Sequence, residues 1–179
     1  MTTQIKLGYM LDFRNPHESR LSFSDFYDAM FRQIDFVESA GLDSIWLTEH
    51  HFTDDGYLSA IMPTLAAIAS RTKRITLGTY VLLAPFYHPL RLAEDAAVID
   101  VISHGRLRLG IGMGYRAEEF DGFQVSQTVF DEIDRDALEL VAVALAQLVG
   151  KGLAREHGPK QAALRLEKSI ARLLDVATG

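Results

Sequence analysis

The chain of 179 residues predicts an α/β protein with about four parallel strands, followed by a C-terminal helical hairpin. Three observations carry this expectation. Apolar runs of strand length alternate with helix-length segments in the order β-α-β-α-β-α-β. With short connections, that order implies parallel strands and right-handed crossovers. The strand runs are continuously apolar rather than alternating, as in a sheet buried on both faces. After Gly112 the strand signal stops and only helical periodicity remains. Pattern alone leaves open a fragment of a βα-barrel and a doubly wound sheet.

The elements follow in order. Residues 5–10 form a short apolar strand that runs into Leu11-Asp12-Phe13, and Arg14-Asn15-Pro16-His17 is a loop. Ser24-Asp25 is expected to cap a helix with Phe26, Met30, Ile34 and Val37 on one face, ended by Gly41. Residues 43–48 are the second strand, followed by a loop with Asp54-Asp55-Gly56. Pro63 suits the first turn of the next helix, which carries Leu65, Ile68 and Ala69. Residues 75–83 read as one third strand, rich in β-branched and apolar side chains, and broken by Ala84-Pro85. A helix over about 90–102 ends at Ser103-His104-Gly105, and residues 107–112 are the fourth strand. Helices are expected over 131–150 and 159–176, each with one apolar stripe.

Composition narrows the function. At 48% hydrophobic the chain can bury a real core. A net charge of -6 without any basic cluster argues against a dedicated nucleic-acid binder. With no cysteine, disulfides, thiolate metal sites and cysteine nucleophiles are excluded. The N-terminus lacks a basic segment followed by an apolar stretch, and no apolar run reaches spanning length, so the expected setting is the cytoplasm without membrane contact.

The most informative motif is Glu49-His50-His51-Phe52, directly after the apolar run Ser44-Ile45-Trp46-Leu47-Thr48. A histidine where a strand opens into a loop can move protons near neutral pH. Adjacent residues on extended chain point to opposite sides, so at most one of the pair faces a pocket easily. The plain alternative is an ordinary loop pair. Contiguous Glu49, His50 and His51 suit one tetrahedral metal site badly, and no G-x-S-x-G elbow supports a serine nucleophile. Gly110-Ile111-Gly112-Met113-Gly114 either lets backbone approach a flat ligand or phosphate, or reflects tight packing at a strand end. It is not the dinucleotide fingerprint. Tyr80, Phe86 and Tyr87 either wall an aromatic ligand or belong to the core, and Arg91, Glu94 and Asp95 read as a solvated charge face.

Several segments together resemble the bacterial luciferase-like monooxygenases, a family of flavin-dependent oxidoreductases. They are Phe36-Val37-Glu38-Ser39-Ala40-Gly41-Leu42-Asp43-Ser44-Ile45-Trp46-Leu47-Thr48-Glu49-His50-His51-Phe52, Leu77-Gly78-Thr79, and His88-Pro89-Leu90-Arg91-Leu92-Ala93-Glu94-Asp95. Ser103-His104-Gly105-Arg106-Leu107-Arg108-Leu109-Gly110-Ile111-Gly112-Met113-Gly114-Tyr115 follows, then Glu119-Phe120. The resemblance covers about residues 4–125 and implies the N-terminal half of a TIM (β/α)8 barrel. It further implies reduced FMN, delivered by a partner flavin reductase and held at the strand C-termini. With O2 the flavin would oxygenate a small organic substrate such as an aldehyde. The deazaflavin F420 is the alternative cofactor.

On the same resemblance His50 is the catalytic acid or base, and Thr79, Tyr80 and Val81 pack under the flavin ring, often through a non-prolyl cis peptide. Gly112, Met113 and Gly114 make the fourth-strand flavin contact. Residues 126–179 do not match the family's second half well. They are expected to form a helical tail that packs on the half-barrel of residues 1–125 or joins two copies in a homodimer. A non-catalytic flavin-binding or dimerisation module derived from the family is the alternative function.

Overall fold

A computed structural model describes residues 5–126. The helices and dimer contacts expected beyond Ser126 lie outside the described residues. Strands β1 (Gly8–Leu11), β2 (Ser44–Leu47), β3 (Thr76–Thr79) and β5 (Leu107–Arg108) form one parallel sheet in the order β1-β2-β3-β5. The register aligns Leu11 with Leu47 and Leu47 with Thr79. Helices α1 (Phe23–Ser39), α2 (Ile61–Arg71) and α3 (Pro89–Ser103) are the crossovers. They cover the sheet face that carries Leu11, Ile45, Leu47, Leu77 and Leu107, and with Ile34, Ile61, Leu65 and Ile68 these side chains make the core. Each fully buried Leu or Ile stabilises the fold by about 1.5–3 kcal/mol relative to exposure.

Strand alternation puts Gly8, Met10, Ser44, Trp46 and Gly78 on the opposite face. Met10 is 58% exposed there among the described residues. Trp46 lies over Gly78, where a Cβ would meet its ring carbons at 2.3 Å, and its Nε1 donates to Ser44 Oγ at 2.9 Å. The indole therefore occupies space that only a glycine leaves open.

Three expectations need correction. The cap of α1 is Ser22, not Ser24-Asp25. Ser22 Oγ accepts from the Asp25 N–H at 3.1 Å and donates to Asp25 Oδ2 at 2.6 Å, so the first turn satisfies its own free amide. The single third strand is two, β3 and β4 (Leu82–Leu83), separated by a cis Tyr80–Val81 peptide bond. The fourth strand is likewise β5 and β6 (Ile111–Gly112), and β4 pairs with β6 in a second small sheet. Gly110 is the pivot. Its N–H donates to Thr79 Oγ1 at 2.8 Å, while its carbonyl accepts from Thr79 Oγ1 at 2.7 Å and from the Leu82 N–H at 2.9 Å. A side chain thus substitutes for ladder bonds where both strands bend. A further helix that the sequence pattern does not predict, α4 (Ala117–Phe123), opens with Glu118 and Glu119 and ends at Gln124 in the left-handed region.

The N-terminal end of the sheet is held by two charged side chains. Glu38, near the end of α1, accepts from the N–H groups of Lys73, Arg74 and Ile75 at 2.7–3.1 Å. Arg106 donates to the carbonyls of Ala69, Thr72, Ile75 and Ser103 and to Thr72 Oγ1, all at 2.7–3.0 Å. The guanidinium thereby takes up the last carbonyls of α2, which helical geometry leaves unpaired.

Candidate functional site

The opposite end of the sheet gathers the polar groups. β2 runs out through Thr48 into Glu49-His50-His51, and the chain there is held at 3.1 Å by the His50 N–H on the Leu58 carbonyl. Glu49 is buried and fully engaged. Its Oε2 accepts from the Leu83 N–H at 2.7 Å and its Oε1 from the Tyr87 hydroxyl at 2.5 Å. This carboxylate ties the end of β2 to β4 and to the turn that leads into α3. Burial pushes the Tyr87 phenol far above its ordinary range, and the neighbouring Glu49 carboxylate pushes it further, so the phenol stays a donor.

The two histidines part, as adjacent residues on extended chain do. The His50 side chain is 22% exposed, its Nδ1 2.9 Å from Glu119 Oε1. Its ring stands edge-on to Tyr57 (4.9 Å between centroids) and Tyr115 (5.9 Å). Tyr57 is fixed by a 2.7 Å hydrogen bond to Thr48. His51 is buried against Phe86 and Phe123 and lines a cavity of about 250 Å³ with Met62, Pro63 and Tyr87. Its Nε2 lies 3.4 Å from Glu49 Oε1, in a geometry that makes no hydrogen bond, so proximity there is not pairing.

Glu119, at the start of α4, is fully buried. Its Oε1 accepts from the His51 N–H at 2.9 Å, and the Arg116 guanidinium lies 3.5 Å away. Arg116 also donates to the His51 carbonyl at 3.1 Å. A carboxylate sunk in the protein needs such partners to offset its lost hydration. In sequence Glu119 stands out only within Glu119-Phe120, and Arg116 carries no signal at all. The available signal was a carboxylate four residues after Tyr115 in a segment following a glycine-rich strand end.

The residues expected around a flavin fall into two groups. Thr79 is buried with its hydroxyl committed to Gly110, and Val81 fills the space beside Gly112, where a Cβ would meet Val81 Cγ2 at 2.4 Å. Among these, Val81 packs beside Gly112, and Thr79 is tied to Gly110 instead. Tyr80, 63% exposed, points outward, and its N–H donates to the Leu47 carbonyl at 2.6 Å. Met113 is half-buried, and Gly114 adopts φ +76°, a left-handed turn that brings the chain to Tyr115. His50 and Tyr115 are thus brought together from the ends of β2 and β6. Three or more His, Asp, Glu or Cys side chains arranged to hold a metal ion are absent among the described residues. No helix among them is long and apolar enough to cross a membrane.

Residues 5–161 match the family model described as luciferase-like monooxygenase. The flavin-dependent trigonelline monooxygenase, oxygenase component, of Acinetobacter baylyi is 37% identical over 95 residues, which is 53% of this chain and 26% of that protein. The alkanal monooxygenase alpha chain of Photorhabdus laumondii is 38% identical over 86 residues, 48% of this chain and 24% of that one. The crystal structure of the monooxygenase RslO1 from Streptomyces bottropensis superposes with a TM-score of 0.70 at 31% identity, covering 77% of this chain and 42% of that chain. At 21–22% identity the fold alone is shared with two further structures. One is the oxygenating constituent of 3,6-diketocamphane monooxygenase from Pseudomonas putida in complex with FMN (TM-score 0.65, covering 83% of this chain and 39% of that one). The other is the coenzyme F420 dependent tetrahydromethanopterin reductase of Methanopyrus kandleri (TM-score 0.58, covering 83% and 41%). The chain spans less than half the length of each of these proteins. From the parallel βα-unit, the His-bearing end of β2 and the match over residues 5–161, the chain belongs to the luciferase-like monooxygenase family.

Proposed function

We propose that this chain takes part in a flavin-dependent monooxygenase reaction on a small organic substrate such as an aldehyde, with His50 as its catalytic acid or base. One observation carries the reading. At the strand C-termini a half-open imidazole stands beside exposed Tyr115, with a buried carboxylate behind it. That end of a parallel βα-sheet is where chemistry is placed, and a backed imidazole can hold and release a proton.

The residues present suit a flat cofactor. Exposed Tyr80, Tyr115 and Met10 offer apolar surface, and Tyr80 and Val81 at the β3–β4 junction and Gly112, Met113 and Gly114 at the end of β6 would hold the cofactor, with Thr79 supporting the bend. Reduced FMN would supply the electrons that activate O2. His50 would hold or deliver the proton, and the Tyr57 and Tyr115 rings would keep its imidazole in place. Met113 adds no charge for a phosphate. FMN is preferred to F420 on the Glu49-His50-His51-Phe52 motif. The relative named as an oxygenase component supports a separate flavin reductase as partner. A cytoplasmic setting belongs to the same proposal. So does a homodimer, which the unpaired β1 and β5 edges and the open sheet face among the described residues favour.

Fluorescence titration of the full chain with FMN and F420, oxidised and then anaerobically reduced, tests the cofactor. Saturable binding of reduced FMN at micromolar concentration is expected, and failure to bind either flavin overturns the enzyme reading. Binding without oxygen-dependent turnover would leave a flavin-binding module. In a turnover assay His50→Ala is expected to abolish activity while flavin affinity stays within about tenfold; undiminished turnover removes His50 from the mechanism.

A further inference from the structure

We infer that Glu119 is a positioning residue that locks the His50 imidazole in its Nδ1–H tautomer and leaves Nε2 as the nitrogen presented to a ligand. The inference deepens the proposed role of His50 and rests on that reading only for its catalytic consequence. The tautomer itself follows from hydrogen-bond direction. Glu119 Oε1 receives the His51 N–H at 2.9 Å, and a backbone amide can only donate. The Arg116 guanidinium, a donor throughout, stands 3.5 Å from the same oxygen. Oε1 is therefore an acceptor surrounded by donors, and the ring nitrogen 2.9 Å away must bring a hydrogen to it. A hydrogen on Nδ1 leaves the neutral ring's lone pair on Nε2.

The geometry reinforces the lock. Glu119 is fully buried in α4, so it does not swing away, and its Oε2 makes no hydrogen bond to a described residue. The whole directional pull falls on Oε1. No hydrogen bond from a described residue reaches His50 Nε2, and the side chain is the more open of the two histidines. The motif thus assigns its adjacent histidines different tasks. His51 supplies its backbone N–H to orient the carboxylate, and His50 receives the result. A carboxylate behind an imidazole fixes both its tautomer and its ring direction.

Selective 15N labelling of histidine in the full chain tests this without flavin. Nitrogen shifts are read at a pH well above the ordinary histidine pKa of about 6.5, where the ring is neutral, with His50→Gln assigning the signal. Free histidine favours Nε2–H, so the expected Nδ1–H form is diagnostic. Glu119→Gln is expected to keep Nδ1–H, because the His51 N–H selects the amide oxygen for the same position. Glu119→Leu is expected to return His50 to Nε2–H. An Nε2–H ring in the unsubstituted chain overturns the inference, as does an unchanged Nδ1–H ring in a folded Glu119→Leu chain. If Glu119→Leu does not fold, the unsubstituted chain and Glu119→Gln still decide the matter. Where reduced FMN is turned over, Glu119→Leu is expected to lower kcat by at least about tenfold, within the roughly 10²–10⁴ that a positioned acid or base contributes, with KM little changed. A chain that binds no flavin yet shows the Nδ1–H ring refutes the proposed function and leaves the tautomer assignment standing.

Discussion

Replacing Arg106 by lysine keeps the charge and removes the fork, which makes it a sharp test of how the sheet's N-terminal end is held. The guanidinium serves five acceptors at once, four of them carbonyls on α2, on α3 and in the segments that lead into β3. An ammonium has three donors at one point and cannot span that set. At least two of the five acceptors would lose their partner, and each buried acceptor left unsatisfied costs about 1–3 kcal/mol. Arg106 is half-buried, so water recovers part of this, and the expected loss is about 2–4 kcal/mol. Burial already works against its charge, lowering its pKa despite the Glu38 carboxylate nearby. Urea unfolding followed by circular dichroism measures the loss. A drop in midpoint temperature of about 5–15 °C should accompany it. A stability change under about 0.5 kcal/mol would refute the view that the fork, rather than the charge, holds this corner.

Further outcomes follow from other contacts. Burial opposes ionisation of Glu38, but hydrogen bonds from the Ile75, Arg74 and Lys73 amides outweigh it and hold its pKa below the ordinary 4.5. Its stabilisation is therefore complete above about pH 4.5 and lost as pH falls through the lower folded value; Glu38→Gln should flatten this acid limb, and an unchanged profile would contradict the assignment. Tyr87→Phe leaves Glu49 Oε1 without its hydroxyl donor and should cost about 1–3 kcal/mol in the same unfolding assay, whereas no loss would mean water replaces the phenol. Gly110→Ala would set a Cβ 2.4 Å from the Thr79 carbonyl oxygen, so a loss of about 1–3 kcal/mol is expected. Gly112→Ala meets only the Val81 side chain at 2.4 Å and should lose less; the reverse order would show that Gly110 is not the pivot.

Local pattern was enough to reveal the order of elements, because buried parallel strands and amphipathic helices leave periodic apolar signatures that survive in any context. Gly41, at φ +90°, ends α1 where the sequence reading placed the break. The motif at Glu49-His50-His51 was legible for the same local reason, a polar cluster at the end of an apolar strand. Other features were out of reach because they depend on partners far along the chain. The split of the third strand is decided by Gly110, about thirty residues later, whose backbone and the Thr79 hydroxyl exchange hydrogen bonds where a straight strand would continue. The α1 cap was misplaced by two residues, since Ser22 and Ser24 look alike in sequence and only the turn geometry selects between them.

The chain's own residues therefore determined its class, its parallel order, its apolar core and the histidine pair at a strand end. Tertiary structure alone decided what each member of that pair does. His50 and Glu119 are 69 positions apart, and no pattern in either neighbourhood specifies that α4 brings the carboxylate to Nδ1 at 2.9 Å. Likewise Glu49, which stands beside the histidines in the motif, is buried and spent on Leu83 and Tyr87. Periodicity records how much of a side chain is covered, whereas chemistry depends on which atom faces which across the fold, and that is set only when the strand ends converge.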